Sequence, residues 1–435
     1  MIRFAVSRPI SLERIAFAAV LILAAGTSNL RSLVWWDLHP VAQEFSEQAW
    51  LEVGSWLVTM LLVLWLMIRE GNLSEYFRNW RRQPLLIMFL AICAASVLWS
   101  VNPPVTAFRV VVLLSATSIA AYIGMRCKAV ELLHYLAWFC AIVVVSSAYM
   151  ALADPLLGKQ RIYGPDVWRG IFWNKNHLGS VAALCSAVLL LRIIYSRSVP
   201  GRLASVLFVP VYLLALVAVY KSRSGTGGLT ALILHALVLL TILWTTFESR
   251  MRRPHYLLLL VGGALIVATA LANIELIFGV FNKDLGLSGR TVLWSYLLQD
   301  VIPSHLVLGQ GFGALWGDPG FRALAAVPLG MVPVIGDNGF MDILLGVGAV
   351  GLAAFMVMYL AAWQRSIAYL VREKTVAGCF PLLVMAFSLL ANLGFSLLTE
   401  IEVMVWILIV ALLFATSAAF RAPIPLTQMP ESRHR

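Results

Sequence analysis

Long apolar stretches separated by short polar clusters run along almost the whole chain. The strict alternation of a half-buried strand is absent, and apolar runs of about 20 residues read as helices that satisfy their own backbone hydrogen bonds in lipid. Twelve such runs fall near 13–30, 49–68, 84–101, 107–125, 130–152, 177–195, 203–220, 227–247, 255–280, 338–363, 377–398 and 401–420. They predict an all-α, polytopic membrane protein of about 12 transmembrane helices. With no linker or low-complexity tract to divide it, residues 1–422 form one membrane domain. The Pro-rich polar tail 423–435 is expected to be disordered and cytoplasmic. Arg3, Arg8 and Arg14 precede the first run as in a signal peptide, but eleven more runs follow, so an uncleaved first helix is expected.

The connections are unequal. Several are a few residues long, whereas 153–176 and 281–337 are long, and long loops carry function more often than packing. Within the second, Ser288–Val301 reads as a short amphipathic helix suited to a membrane surface, with Leu293, Leu297 and Leu298 apolar and Arg290, Thr291, Ser295 and Asp300 polar.

Composition agrees with lipid as the main solvent: 61% of residues are hydrophobic and only 12% charged, against roughly 25% charged in soluble domains. A formal charge of +11 raises the question of nucleic acid. The Lys and Arg positions exclude it, because most follow topology, in short clusters such as Arg78, Arg81 and Arg82 or Arg250, Arg252 and Arg253. That is the positive-inside pattern. It places both termini in the cytoplasm and the 281–337 loop outside, in the periplasm of a double-membraned cell. Five cysteines lie in or beside apolar runs without a C-x-x-C pair, so neither a disulfide framework nor a metal site is indicated.

The basic residues left on the outer face, where positive charge is disfavoured, carry the candidate chemistry. Lys159, Arg161, Arg169 and Lys175 occupy the first long loop, Lys221 and Arg223 a short turn, and Lys283, Arg290 and Arg322 the second long loop. Three clusters that converge would suit an anionic ligand. Lys221-Ser222-Arg223-Ser224-Gly225-Thr226-Gly227-Gly228 offers hydroxyls and a guanidinium at a helix start, where amides favour phosphate; it lacks the Walker spacing, and the same residues also make an ordinary tight turn. On a helix Arg290 and Trp294 stand one turn apart, so a guanidinium and an indole face the same way, towards a sugar or a diphosphate. Asp337 opens the tenth run with Asn338. Either it caps the helix or its carboxylate accepts a proton from a hydroxyl. Asn338 and Asp342 share a helix face.

His177 follows Asn174, Lys175 and Asn176 at the outer entrance of the sixth run, where hydrogen bonds to sugar or phosphate are possible. His134 and His235 read as packed. Gly309-Gln310-Gly311-Phe312-Gly313 contains G-x-G, but no βαβ pattern surrounds it, which excludes a dinucleotide site. With neither D-x-D nor H-E-x-x-H in the chain, no metal is expected.

In order, R-G-I-F-W-N-K-N-H-L-G at 169–179, S-R-S-G-T-G-G at 222–228, S-G-R-T-V-L-W at 288–294, G-Q-G-F-G at 309–313 and D-N-G-F-M-D-I-L-L-G-V-G-A-V-G-L at 337–352 resemble the O-antigen ligase and Wzy-type polysaccharide polymerase superfamily. The 169–179 wording is most similar to its exopolysaccharide repeat-unit polymerase (ExoQ-like) branch. The matches span about half the chain.

The resemblance implies a membrane fold of the lipid-donor glycosyltransferase (GT-C-like) kind in the cytoplasmic (inner) membrane. Its implied activity is glycosyl transfer at the outer face from an undecaprenyl diphosphate-linked oligosaccharide, without cofactor, nucleotide sugar or metal. Partners beside the donor and the bilayer would be a flippase and a chain-length regulator. By motif match, Arg223 and Arg290 would stabilise the leaving diphosphate, Arg169 would assist, and Asn174, Asn176, His177, Ser222, Trp294 and Asn338 would bind substrate. Asp337 would face the attacking hydroxyl. Many relatives carry His there; an ordinary Asp, with a pKa near 3.9, is a weaker base unless burial raises it, yet it can orient a hydroxyl. Polymerisation of repeat units and ligation of a finished glycan to a lipid or protein acceptor use the same donor chemistry. A twelve-helix transporter is the reading from another class, but the internal repeats and midplane ionisable residues expected of one are not evident.

Overall fold

The computed structural model describes residues 47–172, 174–196, 202–247, 290–330, 332–333, 335–396 and 404–419. Among these the architecture is all-helical, in thirteen principal helices: α1 Glu47–Arg69, α2 Leu73–Trp80, α3 Pro84–Ala95, α4 Pro103–Arg126, α5 Ala129–Ala153, α6 Lys175–Ser196, α7 Arg202–Ser222, α8 Gly225–Phe247, α9 Arg290–Tyr296, α10 Pro319–Leu329, α11 Gly339–Glu373, α12 Phe380–Asn392 and α13 Met404–Ala419. Ten of the twelve apolar runs coincide with helices. The runs at 13–30 and 255–280, and the tail 423–435, lie outside the described residues.

Among the described residues, five helices are long and apolar enough to cross a membrane: α4, α5, α6, α8 and α11. A sixth is obtained if the end of α1 and α2, which meet at 117°, count as one broken span. Segments containing α3, α7, α12 and α13 are apolar but shorter. At 1.5 Å per residue a helix needs about 20 residues to cross roughly 30 Å of hydrocarbon, which the longer set provides.

Local chemistry sets the helix starts. Pro84, Pro103 and Pro319 each stand in the first turn, where the missing N–H costs nothing. Asn102 accepts from the Val105 amide at 3.4 Å, and Asp318 from the Gly320 amide at 2.9 Å, each satisfying an orphan donor.

Small residues set the packing. Gly124 of α4 lies against the Ala411 carbonyl of α13, and Trp406 of α13 donates to Thr117 of α4 at 2.8 Å. Such close backbone approaches, reinforced by hydrogen bonds between helices, substitute for the hydrophobic drive that lipid removes. Outward, large apolar side chains such as Val58, Trp65, Ile142, Tyr149, Leu239, Val357 and Leu360 are exposed, as a lipid-facing surface requires.

The polar links gather at two ends of the bundle. At the end holding the expected cytoplasmic clusters, Arg126 pairs with Glu70 at 2.7 Å, and Arg365 donates to Gln83 at 2.6 Å and to Ser417 at 3.1 Å. At the other end lie the two long loops and the helix entrances of α6, α8 and α11.

One span is broken. At Gly348, with φ 67°, α11 is kinked between an outer piece, 339–347, and the remainder. The orphaned groups find partners in the loop 306–311. Gln310 and Gly311 amides donate to the Leu345 and Gly346 carbonyls, both at 2.9 Å, while Ala349 and Val350 amides donate to the Leu306 and Val307 carbonyls at 2.7 and 3.3 Å. A break inside a membrane is tolerated only when its backbone is satisfied in this way. This is what the G-Q-G-F-G segment does: Gly309, Gly311 and Gly313 all have positive φ, and a Cβ on Gly309 would fall 2.5 Å from the Gly346 backbone.

The expected amphipathic helix 288–301 is observed as α9 followed by a π turn, Leu297–Val301. Its expected apolar residues divide, with Leu298 exposed and Leu293 and Leu297 turned inward. Leu293, Leu297 and Val301 bury themselves with Leu315 and with Leu345 of α11, because the protein offers a closer apolar partner.

Candidate functional site

The first long loop and the turn before α8 form one structure. The Trp168 amide donates to the Lys221 carbonyl at 2.9 Å, and Asp166 accepts from Lys159 at 2.9 Å and also from Lys221. The two ammonium groups, Lys221 foremost, hold the Asp166 carboxyl down at about 2, since an adjacent cation favours the ionised form. Lys175, at the first position of α6, is buried. Its Nζ donates to the Arg223 carbonyl at 3.0 Å and lies 4.9 Å from the centre of the Tyr163 ring, an arrangement that replaces lost hydration.

Arg223 itself has φ 48° and is exposed. Its Nη1 lies near Gly164, and among the described residues its guanidinium has no acidic partner. Arg169 donates from Nε to the Leu157 carbonyl at 2.5 Å, and partial burial lowers its pKa. The turn that lifts Arg223 is built by serines. Buried Ser222 donates to the Val219 carbonyl at 2.7 Å and accepts from the Ser224 amide at 3.2 Å, so its hydroxyl is engaged within the turn. Asn174 accepts from the Asn176 amide at 2.7 Å and starts α6. The Asn176 Oδ1 is buried without a hydrogen-bond partner. His177, 1% exposed, lies between the rings of Phe172 and Phe395 at 4.6 and 5.2 Å.

The second cluster stands at the opposite ends of the other long loop. Arg290 is only 5% exposed, and its Nε lies 3.3 Å from Asp337 Oδ2. A buried guanidinium without a counter-charge would be costly, so the pair fixes both ends of the loop. The contact is an ion pair and not a hydrogen bond, since among the described residues the buried Arg290 Nε has no hydrogen-bond partner. One turn further along α9, Trp294 Nε1 donates to the Gly336 carbonyl at 2.8 Å. The shared face of Arg290 and Trp294 is therefore real, and it grips the segment 336–337.

Asp337 is not the helix cap. Asn338 fills that role, accepting from the Phe340 and Met341 amides at 3.0 and 3.2 Å, and Asp337, in the left-handed region at φ 52°, turns its carboxylate to Arg290. From below, Asp342 Oδ1 accepts from the Gly336 amide at 3.1 Å and from Trp316 Nε1 at 2.8 Å.

The stretch 392–395 after α12 joins the two clusters. Asn392 lies against Gly339 at the start of α11. A Cβ on Gly394 would fall 2.8 Å from the Thr226 side chain in α8, and Phe395 stacks on His177 in α6. Between α6 and α8 the backbones touch, since a Cβ on Gly227 would fall 2.5 Å from Gly179. The three helix entrances thus meet around one short segment.

Sequence patterns did not single out Asp166, Trp316 or the 392–395 stretch. Asp166 had a signal, as the acid amid the outer lysines of its loop. Asn392, Gly394 and Ser396 interrupt an apolar run, which is unusual in a span. Trp316 had none, because its partner Asp342 is distant in sequence.

Chemically, the arrangement presents guanidinium donors, a fixed carboxylate and buried hydroxyl and amide groups at one end of the bundle. It can bind an anion and orient a hydroxyl. No protein-family model matches the chain, and no curated protein matches it.

Proposed function

We propose that this chain is a metal-independent glycosyltransferase of about twelve spans with a GT-C-like architecture. It joins undecaprenyl diphosphate-linked repeat units at the outer face of the cytoplasmic membrane, in exopolysaccharide biosynthesis. The observation that carries this reading is the ion pair Arg290–Asp337, a buried guanidinium whose Nε stands 3.3 Å from a carboxylate and, among the described residues, makes no hydrogen bond. Its donors suit a diphosphate and the neighbouring carboxylate suits a sugar hydroxyl.

In that reaction negative charge grows on the diphosphate as it leaves the anomeric carbon. Pre-oriented guanidinium donors are worth most at that point, about 3 to 4 kcal/mol each. Arg290 and the exposed Arg223 take this role, with Arg169, bonded to the Leu157 carbonyl, assisting. Asp337 orients the attacking hydroxyl and accepts its proton. The ordered motifs of the ligase and polymerase superfamily support the same assignment. Both termini are cytoplasmic in this account, as the basic clusters argue.

The test is cellular. In the parent strain, Arg290→Ala and Asp337→Asn should lower polymer yield and let lipid-linked repeat units accumulate at normal protein levels. Normal polymer from Arg290→Ala would overturn the site.

A further inference from the structure

The geometry points to Asp342 as the positioning residue of the site: it holds the backbone of Gly336 so that Asp337 meets Arg290, and it does not itself take a proton. This rests on the glycosyl-transfer reading above and deepens it.

Gly336 is held through both of its backbone polar groups. Its carbonyl accepts from Trp294 Nε1 at 2.8 Å, and its amide donates to Asp342 Oδ1 at 3.1 Å. Glycine is required there, since a Cβ would run into the Asp342 carboxylate. The same oxygen takes a second bond, from Trp316 Nε1 at 2.8 Å. Oδ1 thus ties the Gly336 backbone to the Trp316 side chain, which suits an orienting role.

Position matters because Asp337 is held in a strained backbone conformation. Its backbone is left-handed, a conformation that non-glycine residues hold only where surroundings impose it. The outer piece of α11 is also cut off from the rest of its helix at Gly348. Its lower end is seated on the loop 306–311, and its upper end is held through Asp342 to Gly336. Asp342 is the link between the half-helix and the strained residue. A misplacement of about 1 Å at a reacting group can cost on the order of a hundredfold in rate.

The experiment compares Asp342→Asn, Asp342→Leu and Trp316→Phe in purified protein. One arm measures transfer from a lipid diphosphate oligosaccharide, and the other measures hydrogen–deuterium exchange of the peptide 332–341. Asn keeps an acceptor oxygen for both donors, so Asp342→Asn should retain kcat within about threefold and keep exchange slow. Asp342→Leu should lower kcat at least about tenfold at unchanged KM and speed exchange at Gly336. Trp316→Phe, which removes one donor and retains the ring, should fall between them. Equal loss of activity in Asn and Leu with slow exchange in Asn would make Asp342 a proton carrier and overturn the proposal. Unchanged exchange in Leu would overturn it too. If wild-type protein makes no product while exchange follows the predicted order, the glycosyl-transfer reading fails and the clasp stands.

Discussion

Arg290 and Asp337 stand at opposite ends of the segment 290–337 and meet at 3.3 Å, with the arginine side chain 6% exposed and the aspartate 31% exposed. The segment between them therefore closes on itself before any ligand arrives. Replacing Arg290 by Lys keeps the charge but loses the planar fork, so Lys should not rescue. Arg290→Lys is expected to lower kcat by about a hundredfold, close to Arg290→Ala, measured in single-turnover transfer. Rescue by Lys beyond a tenth of wild-type rate would contradict a fork-shaped contact.

The Asp337 carboxylate balances a buried cation. Asp337→Asn should destabilise by on the order of 1 to 3 kcal/mol, since the aspartate is partly solvated and the full cost of a stranded charge is reduced. Thermal unfolding in detergent should report the loss, and the double variant Arg290→Met with Asp337→Asn should recover part of it. Additive losses in the double variant would show that the two residues do not interact.

Asp166 provides the pH dependence of the first loop. Held down at about 2 by Lys221 and Lys159, it is ionised in the folded state at pH values where an unfolded chain has begun to protonate, near 3.9. Its contribution is complete above that value and disappears as pH falls through about 2. Hydrogen exchange of residues 159–168 should stay slow from pH 7 to about 4 and rise below it, and Asp166→Asn should show fast exchange throughout.

The broken span makes a prediction about glycines. Gly330, at φ 65° and ψ 8°, is left-handed with nothing within 4 Å of a Cβ, whereas Gly348, at φ 67° and ψ −171°, holds a backbone essentially reserved for glycine and its Cβ would also collide with Val307. Gly330→Ala should cost about 1 to 2 kcal/mol, the left-handed penalty alone. Gly348→Ala should cost more and free the loop 306–311 from the helix. Equal stability of the two variants would mean that the loop is not seated as described.

Much of the helical layout was legible because lipid forces each span to satisfy its own backbone. Among the described residues ten of the apolar runs appear as helices. The break at Gly348 was not legible: the G-V-G-A-V-G stretch reads as a small-residue packing face, and only the distant loop 306–311 turns it into a seat. At the site, the shared face of Arg290 and Trp294 followed from helical spacing, and their common target, 336–337, did not. Asp337 was expected either to cap the helix or to face a hydroxyl, and Asn338 takes the cap because Asp337 adopts a left-handed backbone that composition does not announce. His177 was expected to meet sugar or phosphate. Its ring is held between Phe172 and Phe395, and Phe395 comes from the far end of the chain.

The most direct measurement is transfer by purified protein supplied with a native lipid diphosphate oligosaccharide, with nucleotides absent and divalent metals chelated. The account predicts elongated lipid-linked glycan from wild-type protein and at most about a hundredth of it from Arg290→Ala. No elongation from active-folded wild-type protein with a proven donor, or equal elongation from Arg290→Ala, would contradict it.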